Sequence, residues 1–437
     1  MILKEAVRAI LDKRTDYQTA MAYYEGRVPE TFATVKLRKL FATMEDRSRL
    51  NFCRPIISAM ANRIELGSIV GDKRETTKRI QEIWQHNHLE FEADEIHTKA
   101  MVYGDAYALA WPDESGEWVI SYQNPENTAI VYDIENPRKK AYGVKVWVVD
   151  RKTRMNIYTS DAIIKYETNS DLISEGTNWT EIDRLANPFG EVPMFHFMTH
   201  RPNGRPEHYD AYDAQNAINK LFITNMNTID YQGAPQRYAL ANPDGELSDF
   251  DESDVDLNLK NGPGELWYLK GVSAVGEFSV ADPANFWNPM KDIVRSMSAL
   301  TDTPLHYFER TGNNPTGNGL RVAEAPLLKK IQQREASFAF TWKELFTFIV
   351  NAEGIDDKIT IYWKTMESLD EPERWDVTLK KLNAGLSHKQ ALREGGYSEE
   401  QVQIIMADRA EEAKGGLFYQ RAPQTRVNTR HDETQEN

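Results

Sequence analysis

Apolar positions follow three successive patterns along the chain, and each change of period marks a boundary. From residue 1 to about 100 the spacing is mostly helical. Met1-Ile2-Leu3-Lys4-Glu5-Ala6-Val7-Arg8 opens an amphipathic helix. Arg54-Pro55 interrupts a second pattern, which Ile56, Ile57, Met60 and Ile64 resume at helical spacing, and Thr76–His86 and Glu90–Tyr103 continue it. From about Tyr107 the period is two. Ala106–Pro112, Trp118–Gln123, Thr128–Ile134, Tyr142–Asp150, Arg154–Thr159 and Ala162–Glu167 read as strands. Turn chemistry separates them at Asp113-Glu114-Ser115-Gly116, Asn136-Pro137 and Asp150-Arg151-Lys152-Thr153. The expectation is one antiparallel meander, followed by a Pro-, Gly- and Asn-rich passage from Asn187 to Pro206.

Helical spacing returns over about Asp210–Gln232, with Ile218, Leu221, Phe222, Met226 and Ile229 on one stripe and Gly233-Ala234-Pro235 as the stop. Short strands and turns fill 242–282. A helix then runs from about Pro283 to Leu300, where Thr303-Pro304 ends it. The Gly/Asn-rich stretch Thr311–Gly319 leads into the longest helical pattern, about Leu320–Asn351. Pro326 inside it predicts a kink, because proline lacks an N–H and clashes with the carbonyl four residues back. Lys358–Thr365 reads as a strand. Short helices occupy Pro372–Ala413, broken at Asn383-Ala384-Gly385 and Gly395-Gly396, and the polar end of the chain reads as a flexible tail.

Composition narrows the class. The 437 residues are 41% apolar and 11% aromatic, which is too rich for a disordered chain. Lys and Arg total 52 against 67 Asp and Glu, a formal charge of −15. That balance argues against nonspecific capture of a nucleic-acid backbone, although not against an assembly that DNA passes through. The single cysteine, Cys53, excludes an intrachain disulfide and a multi-cysteine zinc site within one chain, and reads as a small buried apolar residue. The N-terminus lacks the apolar core of a signal peptide, and the most apolar strips fall far short of a membrane span. A soluble protein made in a reducing compartment is expected.

Candidate chemistry fails motif by motif. Gly312–Gly319 has the Gly-x4-Gly frame of a phosphate-binding loop, but Asn318 and Gly319 stand where Lys and Ser/Thr are required. The glycines suit a loop that changes shape. Residues 244–256 hold seven carboxylates and no base, among them Asp249, Asp251, Glu252, Asp254 and Asp256. A calcium loop starting at Asp249 needs Gly sixth and Glu twelfth, and finds Asp254 and Lys260. A solvated acidic loop or a protein-docking surface remains. His86, His88 and His97 lie near four acids without metal-ligand spacing and read as an exposed helical corner. No serine elbow or dinucleotide fingerprint occurs, so nothing argues for an enzyme or a cofactor.

The order of elements in the second half is helix, acidic strand-and-turn insert, helix, Gly/Asn loop, long Pro-containing helix, strand and small helices. With Tyr209–Leu221 (YDAYDAQNAINKL), Met290–Pro304 (MKDIVRSMSALTDTP), Asn313–Gln332 (NNPTGNGLRVAEAPLLKKIQ) and Leu382–Val402 (LNAGLSHKQALREGGYSEEQV), it resembles the portal proteins of tailed bacteriophages, of siphophage type. The resemblance covers about Glu25 to Ala413. It implies an α+β portal fold, divided into a wing (1–208), stem helices (209–241 and 283–301) and a clip (242–282). A tunnel loop (302–318) follows, then a long kinked helix with a returning wing strand (319–371), a helical crown (372–414) and a tail (415–437).

It further implies a ring, usually of twelve copies, at one capsid vertex of the virion, built in the host bacterial cytoplasm. Expected partners are terminase, head–tail adaptor or connector proteins, major capsid and scaffolding proteins, and double-stranded DNA passing through without sequence specificity, with no membrane. Arg310, Gly312, Asn313, Asn314, Thr316 and Asn318 would face the DNA, and Asp249, Asp251, Glu252, Asp254 and Asp256 would dock partners. Arg321, Lys329, Lys330 and Arg334 would pair with acids of a neighbouring subunit. Other readings are a different ring-forming connector and a hydrolase without a recognisable motif. In a ring the negative charge multiplies, and an acidic wall repels phosphate. The clip region alone holds ten acids against two bases, a net of −8.

Overall fold

The structure is a computed structural model that describes residues 2–27, 50–171, 173–200, 204–232, 237–241, 272–277, 284–309, 318–364, 371–395, 397 and 399–414. The chain divides into two units, Met1–Glu367 and Ser368–Asn437.

The first unit opens with α1 (Ile2–Glu25), which buries Ala6, Val7, Ile10, Tyr17, Ala20 and Tyr23 at helical spacing. Next comes α2 (Cys53–Ala61). Arg54-Pro55 does not interrupt this helix; it lies in its first turn. Backbone N–H groups there have no helical acceptor, so proline costs little. The side-chain oxygen of Asn51 instead accepts from the amides of Cys53 at 3.0 Å and Arg54 at 3.2 Å. Ile64, expected to continue the helix, lies beyond its end. The chain then forms a strand that helical periodicity had hidden, β1 (Leu66–Gly71), before α3 (Arg74–His86) and α4 (Leu89–Tyr103).

Strands β2 (Asp105–Pro112), β3 (Trp118–Gln123), β4 (Thr128–Tyr132), β5 (Lys140–Val149), β6 (Lys152–Tyr158), β7 (Ala162–Thr168), β8 (Thr180–Ala186) and β9 (Met194–Met198) follow. The alternating runs are strands as expected, but they do not form one meander. One sheet has the order β4-β5-β6-β7-β8, while β2 pairs with β3 on one side and β9 on the other. Two further strands, β8 and β9, were hidden in the sequence. Every position of β8 is exposed and every position of β9 is buried, so neither alternates.

After a 3₁₀ turn at Tyr209–Ala211 come α5 (Tyr212–Gln232), β10 (Arg237–Ala241), β11 (Val272–Glu277), α6 (Ala284–Leu300), α7 (Asn318–Ala352) and β12 (Ile359–Trp363). β12 returns to pair antiparallel with β1. The largest core lies under α7, where Phe338, Trp342, Leu345 and Phe346 pack with Phe195 and Phe197 of β9 and with Ile96, Ala100 and Met101 of α4. α7 remains helical on both sides of Pro326.

The second unit contains α8 (Glu371–Asn383), α9 (His388–Glu394) and α10 (Glu399–Lys414), separated where the glycines predicted breaks. The Ser387 side chain caps α9 by accepting from the Gln390 amide at 3.3 Å, and Trp375 and Tyr397 sit with ring centres 5.6 Å apart.

Candidate functional site

Helices α5 and α6 pack on each other and on the body through one apolar seam. Ala211, Ile218, Met290, Val294 and Met297 meet Tyr23, Cys53 and Ile56 there. Burial pushes the Cys53 thiol well above its ordinary pKa, so it behaves as the inert apolar residue expected. The seam does not reach the far end of the pair. Met226 and Ile229 on α5 are 36% and 43% exposed, and Trp287 on α6 is 39% exposed. Beyond the helices, β10 and β11 pair antiparallel from Arg237↔Glu277 to Ala241↔Val272. The chain therefore leaves along a helix and a strand and returns along a strand and a helix.

Asp249, Asp251, Glu252, Asp254 and Asp256 lie outside the described residues, as do Arg310, Gly312, Asn313, Asn314 and Thr316. Asn318 is the first residue of α7. Residues 302–309, assigned to the loop from sequence, are a packed turn in which Thr303 is buried and its carbonyl accepts from Ser298 Oγ at 2.6 Å. A 3₁₀ turn at Leu305–Tyr307 follows. Glu324 of α7 accepts from Arg63 Nη2 at 2.7 Å, lies 3.4 Å from His306 Nε2 and accepts from the Tyr307 hydroxyl at 3.5 Å. The Arg63 guanidinium also sits over the Tyr307 ring, 5.9 Å from its centre. Both flanks of the 310–317 segment are thus tied to one arginine.

Of the four cations expected to pair across subunits, Lys330 and Arg334 instead pair within the subunit. Glu207, buried ahead of α5, accepts from Lys330 Nζ at 2.9 Å and from Arg334 Nε. Burial alone would raise its pKa, but the charge of Lys330 and the Arg334 hydrogen bond outweigh it and hold the carboxyl below the usual range. Sequence spacing could not reveal this contact, because the partners are more than a hundred residues apart.

Two buried ionisable clusters escaped sequence reading. Asp105 on β2 accepts from Tyr17 OH at 2.7 Å, Lys13 Nζ at 3.1 Å, the Gly204 amide at 3.2 Å and, at 2.8 Å, His196 Nε2 on β9. The Tyr132 hydroxyl lies 3.1 Å from His196 Nδ1. Burial opposes ionisation of Asp105, but the His196 hydrogen bond and the His196 and Lys13 charges keep its pKa below the ordinary value. The signal available was an acid and a histidine inside otherwise apolar strands, DAYALAWP and MFHFM.

His97 is the second case and corrects the exposed-corner reading. It is buried, stacks on Phe338 with ring centres 5.0 Å apart, and accepts from Trp342 Nε1 at 2.8 Å. Burial lowers its pKa to about 3, so it is neutral. Among the described residues no group of His, Cys, Asp and Glu side chains is placed to hold a metal ion, and no helix is long and apolar enough to cross a membrane.

The chain is similar to the portal protein of Mycobacterium phage L5, with 22% identity over 447 aligned residues, covering 95% of this chain and 90% of that protein. It is also similar to the portal protein of Mycobacterium phage D29, with 23% identity, covering 94% of this chain and 89% of that protein. Among solved structures, a chain from the neck of a native gene transfer agent particle, computed with C12 symmetry, aligns with a TM-score of 0.48 at 13% identity, covering 88% of this chain and 99% of that one. The family described as phage portal protein, SPP1 Gp6-like, matches residues 6–414, and the chain belongs to that family.

Proposed function

We propose that this chain assembles into a closed ring, of about twelve copies, at one capsid vertex, and that the ring is the channel for genome packaging and ejection. In this reading 1–208 with the returning strand is the wing, α5 and α6 the stem, and 242–282 the clip. The segment ahead of α7 is the tunnel loop, and α8 to α10 the crown. Terminase and head–tail adaptor proteins dock on the clip acids, capsid and scaffolding proteins surround the wing, and duplex DNA passes without sequence-specific contact. The protein works as an architectural component rather than an enzyme.

The carrying observation is the outgoing helix–strand, strand–helix excursion, with Met226, Ile229 and Trp287 exposed at its far end. An isolated pair of helices leaves such side chains in water, and stems of neighbouring copies side by side would cover them. Light-scattering mass and negative-stain images of the purified protein test the reading. Rings with a central hole and near twelve-fold symmetry are expected; a stable monomer under all assembly conditions sinks it.

A further inference from the structure

A cavity of about 410 Å³ opens between the first half of α7, the end of α6 and the segment leading into α5. Lys330 and Arg334 line it, both already fixed by the buried Glu207. Each keeps donors to spare. The Lys330 ammonium carries three N–H groups, one on Glu207 and a weaker contact to the Thr301 carbonyl at 3.4 Å. The Arg334 guanidinium carries five, with Nε on Glu207 and Nη2 3.2 Å from His200 Nε2. Lys329 also lines the cavity, is exposed, and has no ion-pair partner among the described residues.

Charge has the matching sign. Arg205 lines the cavity but pairs with Asp210, and Asp302 is the remaining acid. Four bases therefore face three acids, a local excess of +1 in a chain of net −15. Burial, reinforced by the Arg334 charge, lowers the pKa of His200, whose Nε2 accepts from Arg334 Nη2 at 3.2 Å and whose Nδ1 lies 3.2 Å from Thr199 Oγ1.

We infer that this cavity is an oxyanion site that binds a phosphate group. Glu207 has already ordered the two long side chains, so an incoming anion meets fixed donors and less rotamer entropy is lost on binding. Lys329 supplies the uncompensated charge. The volume is within the range of small-ligand pockets and exceeds a bare phosphate. The molecule that carries the phosphate rests against Leu300 and Pro326, which also line the cavity. The site is independent of the ring reading: either state of assembly is able to bind phosphate, and failure of one claim leaves the other standing.

The test titrates sodium phosphate into the full chain against sodium chloride at matched ionic strength, following thermal midpoint and calorimetric heat, for the wild type, Lys329→Glu and Lys329→Arg. Phosphate is expected to raise the midpoint where chloride does not. Lys329→Glu, an exposed change that leaves the Glu207 pairs intact, weakens apparent affinity roughly fivefold or more, and Lys329→Arg restores it. Phosphate no better than chloride, or equal affinity in Lys329→Glu, overturns the proposal. A short duplex oligonucleotide separates the two sources of the group. Competition with phosphate, lost in Lys329→Glu, assigns it to a nucleic-acid backbone; phosphate binding without such competition assigns it to a free phosphate compound.

Discussion

At the scale of single residues, Asp105 ties the N-terminal helix to β9 of the three-stranded sheet and to the chain ahead of α5. Truncating it leaves Lys13, Tyr17 and His196 without their shared acceptor in a buried place. Asp105→Ala should therefore cost about 3–5 kcal/mol, read as a lower midpoint in chemical denaturation. A change below roughly 1 kcal/mol would show the cluster to be incidental. Because the folded pKa is depressed, this stabilisation is present above the ordinary value of 3.8 and is lost only as pH falls below it toward the folded pKa. Gly104, just before it, has φ of +88°, and an added Cβ would lie 2.5 Å from the Arg205 amide nitrogen. Only glycine permits the helix to end there and the Asp105 cluster to close over it.

At the scale of elements, the α5–α6 pair is where local packing runs out. Near the body, α5 and α6 bury a continuous seam, but at the far end their apolar positions face water. Ile229→Gln and Trp287→Gln should weaken association between copies by about tenfold or more per side chain while leaving helix content unchanged. Light scattering set against circular dichroism checks this. Full-mass rings from the double variant would mean that this face of α5 and α6 is not an interface. The long helix illustrates a related point. Its periodicity and Pro326 were legible, yet the roles of Lys330, Arg334 and Glu324 depended on partners brought in from the turn after α2 and the residues before α5.

At the scale of the whole molecule, the proposed channel concentrates function in 310–317. Its two flanks are held by Glu324, Arg63, His306 and Tyr307, so removing the segment should not disturb the body. A chain lacking 312–317 is expected to form rings by negative stain yet to impair DNA packaging or retention in infection assays. Normal packaging would place the DNA-facing loop elsewhere. The acidic balance fits the proposed arrangement: a ring of such negatively charged copies would repel phosphate along its length. The basic cavity beside Glu207 is a local exception.

The sequence by itself determined the helices that carry an apolar stripe, the alternating strands from Ala106 to Glu167, the breaks at glycine and proline, and the element order that resembles a portal. Those features are written in spacing between near neighbours, and period and turn chemistry are local properties. Tertiary structure alone decided that β1 is a strand, since its partner β12 is far along the chain. It also decided that β9 closes a second sheet, that His97 is buried among aromatic rings, and that Lys330 and Arg334 pair with Glu207. A residue's burial and its ionic partners are fixed by whichever distant segment packs over it, and one-dimensional periodicity carries no record of that segment.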